Sequence, residues 1–123
     1  HDARAGDPPR DWGVRVVGAP FQPWADVAVE LVHDPDREPS GRVPSIGGHL
    51  HPAVRMHGGV TSLRAPCFWA RGGGAGPMVM PAFGRFTGAM AVRPREGDRV
   101  FAIGPGEIAE IGCAIRPEAA GLA

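Results

Sequence analysis

Glycine and proline recur so densely along this chain that it can only be read as short segments joined by turns. Of 123 residues, 19 are glycine and 14 are proline. Glycine costs entropy inside regular elements, and proline removes a donor and blocks the preceding helical turn. A share this high approaches that of disordered chains. Apolar runs break it up throughout, however, and hydrophobic residues make up 43% of the chain. The expected product is a set of short strands and tight turns rather than disorder. The length suits one core, and neither an internal repeat nor a second domain is visible.

Residues 2–12 read as a loop or one short helix. Strands are expected at Gly13–Val17, Val27–Val32 and Val43–Ile46, the second a buried β-branched run that ends in His33. From there the pattern is all-β, with strands over Val54–Met56, Val60–Trp69, Met78–Phe83, Arg99–Ile103 and Glu107–Ile111. Gly or Pro turns separate them, and His57 beside two glycines reads as a turn residue. The run from Gly72 to Gly76 lacks the Lys-Ser/Thr and helix of a phosphate loop, so it reads as a hairpin tip. Residues 117–123 read as a frayed tail.

Charge excludes one class of partner. Thirteen arginines, with no lysine, balance 13 acids, so tight non-specific nucleic-acid binding has no electrostatic basis. A local phosphate-contacting patch from Arg4, Arg10, Arg55, Arg64, Arg85 and Arg93 stays open beside the plainer reading of solvated charges flanking strands. Two cysteines are too few for a disulfide scaffold, and Cys67 in its apolar run reads as a buried thiol. No apolar run reaches membrane-spanning length and nothing resembles a signal peptide, so a cytoplasmic protein is expected. The chain begins with His1 rather than Met, which suits a fragment, a processed product or a tag remnant.

The chemistry concentrates in Gly47-Gly48-His49-Leu50-His51-Pro52. In an extended segment residues i and i+2 share a side, so His49 and His51 are expected to aim two imidazoles at one point. Gly47 and Gly48 allow a tight turn, and Pro52 ends the segment. His33 ends an upstream strand, where ligand sites of open α/β sheets lie. Two strands that each end in histidine point to one metal site, because imidazole is the commonest neutral ligand. The plainer alternative is a turn with solvated rings. Hard ions also want oxygen donors, and the candidates are Asp2, Asp7, Asp34 and Asp36. The chain has no asparagine, and the site reads as half built.

With these residues in view, His1-Asp2, Val32-His33 and Gly48-His49-Leu50-His51 resemble the C-terminal half of the calcineurin-like metallophosphoesterases. That family carries Gly-Asn-His-Asp/Glu, a lone strand-end histidine and Gly-His-x-His. Pro66-Cys67-Phe68-Trp69 and the run Met80 to Gly88 resemble, more specifically, its bacterial ligase-associated DNA damage response endonuclease branch. The resemblance spans residues 1 to about 112.

It implies an α/β fold: a four-layer α/β/β/α sandwich of which residues 1–123 supply the β-rich second half, with the N-terminal half absent. It implies that His33 and His49 bind one metal ion and His51 a second. His1 would stabilise the phosphoryl oxygens or protonate the leaving group, with Asp2 orienting it. Two divalent ions, Mn above Fe, Zn or Mg, would activate a hydroxide for in-line attack on a phosphodiester, most naturally DNA. A functional link to a DNA ligase and helicase is part of the same implication. A small-molecule phosphoesterase and a non-catalytic β-rich remnant are the alternatives. The Asp-x-His, Gly-Asp and Gly-Asn ligands would lie upstream of residue 1. Without the other half, exposed apolar sheet would favour homo-oligomers or aggregation. The 123-residue chain alone is therefore expected neither to bind two ions tightly nor to turn over. Two tight Mn2+ sites in a calorimetric titration of this polypeptide would contradict that.

Overall fold

Eight short strands form one branched sheet in the computed structural model, which describes residues 6–84 and 86–112. They are β1 (Glu30–Val32), β2 (Ser45–Gly47), β3 (Pro52–Gly58), β4 (Thr61–Ala70), β5 (Met78–Val79), β6 (Met90–Ala91), β7 (Arg99–Gly104) and β8 (Glu107–Ile111). The only helical elements among the described residues are two three-residue 3₁₀ turns, Arg10–Trp12 and Gly72–Gly74. The fold is thus dominated by sheet, as the Gly/Pro spacing requires. Among the described residues no helix is long and apolar enough to cross a membrane.

The strand order is β1-β2-β5-β4-β3-β6, with β7 on the other side of β4 and β8 beyond it. Strands β1, β2 and β5 run parallel, and so do β3 and β6; the other pairings are antiparallel. The long β4 serves two ladders. Thr61–Pro66 pair with β3, while Cys67–Ala70 pair with β7 and its last two residues also with β5. Pro66 lies at the changeover, where its missing N–H is least costly.

Cys67, Trp69, Val79 and Val100 make the core, with Leu50, Val54 and Val92 packed against it. Each fully buried valine contributes about 1.5–3 kcal/mol through removal from water. Burial pushes the Cys67 thiol up to about 11, so it is a packing residue, as the sequence suggests. Large apolar side chains also remain exposed, including Trp12, Val60, Leu63, Phe83, Phe86 and Ile108.

Several expected elements differ. Gly13–Val17 forms no strand and is exposed throughout. Of Val27–Val32 only Glu30–Val32 pairs, and Val27 is exposed. The second strand begins at Ser45 rather than Val43, and the strand from Met78 stops at Val79. Pro52 opens β3 instead of ending a strand, and His57 lies inside it as an exposed strand residue. In each case pairing partners rather than local composition decide. His1, Asp2, Arg4, Arg85, Cys113 and the tail 117–123 lie outside the described residues.

The Gly72–Gly74 turn is held from the loop that precedes β7. Asp98 accepts hydrogen bonds from the Trp69 indole (2.9 Å), Gly72 N–H (2.8 Å) and Arg95 N–H (2.9 Å). The Arg71 guanidinium covers Trp69, 4.1 Å from its ring centroid. Partial burial pushes the Asp98 carboxyl upward, but these donors and the Arg71 charge outweigh it and hold the group below its ordinary value. A carboxyl depressed on folding contributes stability that is present above its unfolded pKa and lost as pH falls through the folded one. In urea titrations across pH, the stability gap between the wild type and Asp98→Asn is expected to be widest at neutrality. It should narrow below about pH 4; a gap independent of pH would contradict this role.

Candidate metal centre at the strand ends

The site follows from strand register. Strands β1 and β2 pair in parallel with Val32 opposite Gly47, so both deliver their next residues to the same edge. The His33 carbonyl then accepts two N–H groups, from Gly48 (3.2 Å) and His49 (3.0 Å). Both rings hang from this one junction. His33 Nε2 and His49 Nδ1 lie 2.9 Å apart, with ring centroids at 4.8 Å and planes at 63°.

The close approach depends on Gly47. This residue is buried, and a Cβ there would sit 3.0 Å from Val32 Cγ2 and 3.1 Å from both Cβ and Cδ of Pro35. Gly48 has open space at the same test, so packing demands only the first of the two glycines. The Gly47 carbonyl also accepts the Met80 N–H at 2.7 Å, which ties in the end of β5.

The His-x-His segment is not extended. Residues 49–50 form a turn and His51 has φ 48°, a left-handed value found at no other described non-glycine residue. The two rings therefore do not share a side as strand residues would. Leu50 between them packs on the core and acts as the anchor. His51 is turned to the β6 side, where its Nδ1 lies 3.1 Å from the Gly88 carbonyl. A carbonyl only accepts, so Nδ1 is the donor in this contact. Metal-binding histidines are commonly oriented by such a second bond. The Met90 N–H returns to the His51 carbonyl at 2.9 Å and fixes the backbone there.

Two nitrogens each about 2.1 Å from one ion lie about 3 Å apart at right angles and about 3.4 Å apart at the tetrahedral angle. The observed 2.9 Å fits adjacent ligands of an octahedral ion. The oxygen donors considered from sequence are engaged elsewhere or lie apart. Asp34 Oδ1 accepts the Asp36 N–H at 2.9 Å, Asp36 pairs with Arg71, and Asp7 is exposed. Among the described residues no group of three or more His, Cys, Asp or Glu is arranged around one point. The described donor set thus fits part of a metal site: His33 with His49, and His51 apart from them.

Sequence reading missed a cleft of about 890 Å3 beside this site, lined by Leu50, Trp69, Met90, Arg71, Arg93 and Arg95 among others. Asp36, Glu96 and Asp98 line it as well, so the formal charges of its three arginines and three acids cancel. Of the arginines considered as a patch, Arg93 lines this cleft, while Arg55 stands opposite Arg64 across β3 and β4. Arg64 also donates to the Ala89 carbonyl.

No protein-family profile matches the chain, and no curated protein matches it. Among solved structures, the Pseudomonas putida nuclease MPE is similar: the TM-score is 0.69 and the identity 32%, over 90% of this chain and 50% of that one. The chain thus spans about half the length of that nuclease and shares the fold of that part.

Gly47→Ala tests the packing at the strand ends. It is expected to destabilise the chain by about 1–3 kcal/mol through overpacking against Val32 and Pro35, whereas Gly48→Ala should cost less. Equal urea midpoints for the two variants would contradict this difference.

Proposed function

We propose that this chain is the C-terminal part of a metal-dependent phosphodiesterase that cleaves nucleic acid, of the calcineurin-like type and its ligase-associated endonuclease branch. The observation that carries the reading is the His33–His49 pair, with nitrogens 2.9 Å apart at the ends of two parallel strands. Its support is the likeness to a nuclease over 90% of the chain. In this reading His33 Nε2 and His49 Nδ1 hold one ion and His51 Nε2 a second. His1 and Asp2 act on the phosphoryl group. The remaining oxygen ligands come from a segment upstream, which with this chain completes a four-layer sandwich. The ions, most suitably Mn2+, supply charge neutralisation at the phosphoryl oxygens and a more acidic water. The exposed apolar side chains fit a sheet covered by that other half. A role in DNA repair beside a ligase and helicase belongs to the same proposal.

The cancelling charges of the cleft favour a second reading, a small phosphodiester substrate. Substrate choice separates the two, because cleavage of nucleic acid weakens steeply with salt through counterion release and that of a small diester does not.

His49→Ala in the complete gene product is the test. The expected result is a loss of Mn2+-dependent cleavage of about 100-fold or more, beyond the roughly 10–100-fold of supporting residues, with an unchanged circular dichroism spectrum. Full activity in that variant would leave the histidines structural and the chain a non-catalytic remnant.

A further inference from the structure

We propose that Glu38 is the positioning residue for the His33–His49 pair. Beyond β1 the chain turns back on itself: the Arg37 and Glu38 N–H groups return to the Asp34 carbonyl, at 3.3 and 3.1 Å. This turn carries the Glu38 carboxylate under the start of the loop. A single oxygen, Oε2, there accepts the His33 N–H at 2.6 Å and the Asp34 N–H at 2.8 Å. Bonds from N–H to a carboxylate are roughly twice as strong as neutral ones. Pro35, inside the same turn, is buried against Gly47 and holds the loop over β2.

His33 is thereby gripped on both sides of its Cα. Glu38 holds its N–H, and its carbonyl holds Gly48 and His49. Loss of the carboxylate releases the first of these and lets the His33 backbone rotate against β2. The ring nitrogens then drift from their 2.9 Å spacing, and metal–ligand distances hold to within about 0.2 Å of their standard values. Glu38 acts through the backbone, by way of the His33 and Asp34 N–H groups. Sequence reading passed over it because its five-residue return to His33 is a property of the turn rather than of a motif.

The proposal rests on the metal-binding reading above for its consequence, but not for its geometry, and the experiment separates the two. Co2+ titration of the complete gene product, followed by visible absorption, reads the metal. Imidazole 15N–1H correlation spectra of the metal-free protein read the rings. Glu38→Ala is expected to weaken Co2+ binding by roughly 10–100-fold and to move the His33 and His49 ring signals. Glu38→Gln keeps an oxygen acceptor on the same stem and should recover most of both. If Glu38→Ala fails to fold, Glu38→Asp, which withdraws the charge by one methylene, should move the same ring signals. Ring signals unmoved in a folded Glu38→Ala or Glu38→Asp protein overturn the assignment, whatever the metal does. A wild-type protein that takes up no Co2+ overturns the metal reading, and the ring signals alone then decide the role of Glu38.

Discussion

The parallel register that sets Val32 beside Gly47 is the constraint on which the rest depends. Side chains alternate along a strand, so a slip of one residue would reverse every face of β2. It would put Ile46 where Val32 and Pro35 leave no room for a side chain, and would carry His49 away from the His33 carbonyl. The same register lets Met80 close on Gly47 and so seats β5 beside β2. One backbone alignment therefore sets the edge of the sheet, the need for glycine at position 47, and the 2.9 Å between two imidazole nitrogens.

Stability and chemistry are divided along β4. Its second half supplies Cys67 and Trp69 to the core, where β5 contributes Val79 and β7 Val100. The core then reaches the histidines through Leu50, the middle residue of His-Leu-His. A leucine anchored in packed apolar contacts holds the turn, and the polar residues on either side are left to face other elements. His51 tolerates φ 48° at some backbone cost, offset by the Gly48 and Gly88 carbonyls and by the Met90 N–H. The Trp69–Asp98–Arg71 cluster plays the same part on the far wall of the cleft, where one carboxylate orders the turn after β4.

What could be read in advance follows the range of the interaction. Arg99–Gly104 and Glu107–Ile111 form a local hairpin, and their strands were legible almost to the residue. Cys67 was legible as buried because its neighbours are apolar on both sides. His33 at a strand end was legible because a β-branched run leads into it. Gly13–Val17 has the right composition and no partner strand, so it forms none. Strand β6 is two residues long and exists because Met90 and Val92 donate to the His51 and Ala53 carbonyls, which no local pattern announces. The turn at residues 49–51 was misread as extended for a related reason: the core contact of Leu50 outweighs the local tendency of alternating residues.

The arrangement of the histidines bears on what these strand ends contribute to the proposed metal centre. Two neutral imidazoles brought to 2.9 Å either share a proton or, in the proposed reading, share an ion. The first needs one ring to donate. The second needs both lone pairs, so metal binding competes with protonation and weakens as pH falls. Neutral rings do nothing to balance a divalent charge, and Asp34 and Asp36 are already engaged within their own loop and with Arg71. In the proposed reading the anionic donors are then others than these two. In the proposed reading the strand ends offer uncharged ligands set by backbone hydrogen bonds, and the charge that secures an ion is supplied by other donors. In that reading tight binding is conditional on those donors, while the spacing of the pair is set by the strand ends themselves.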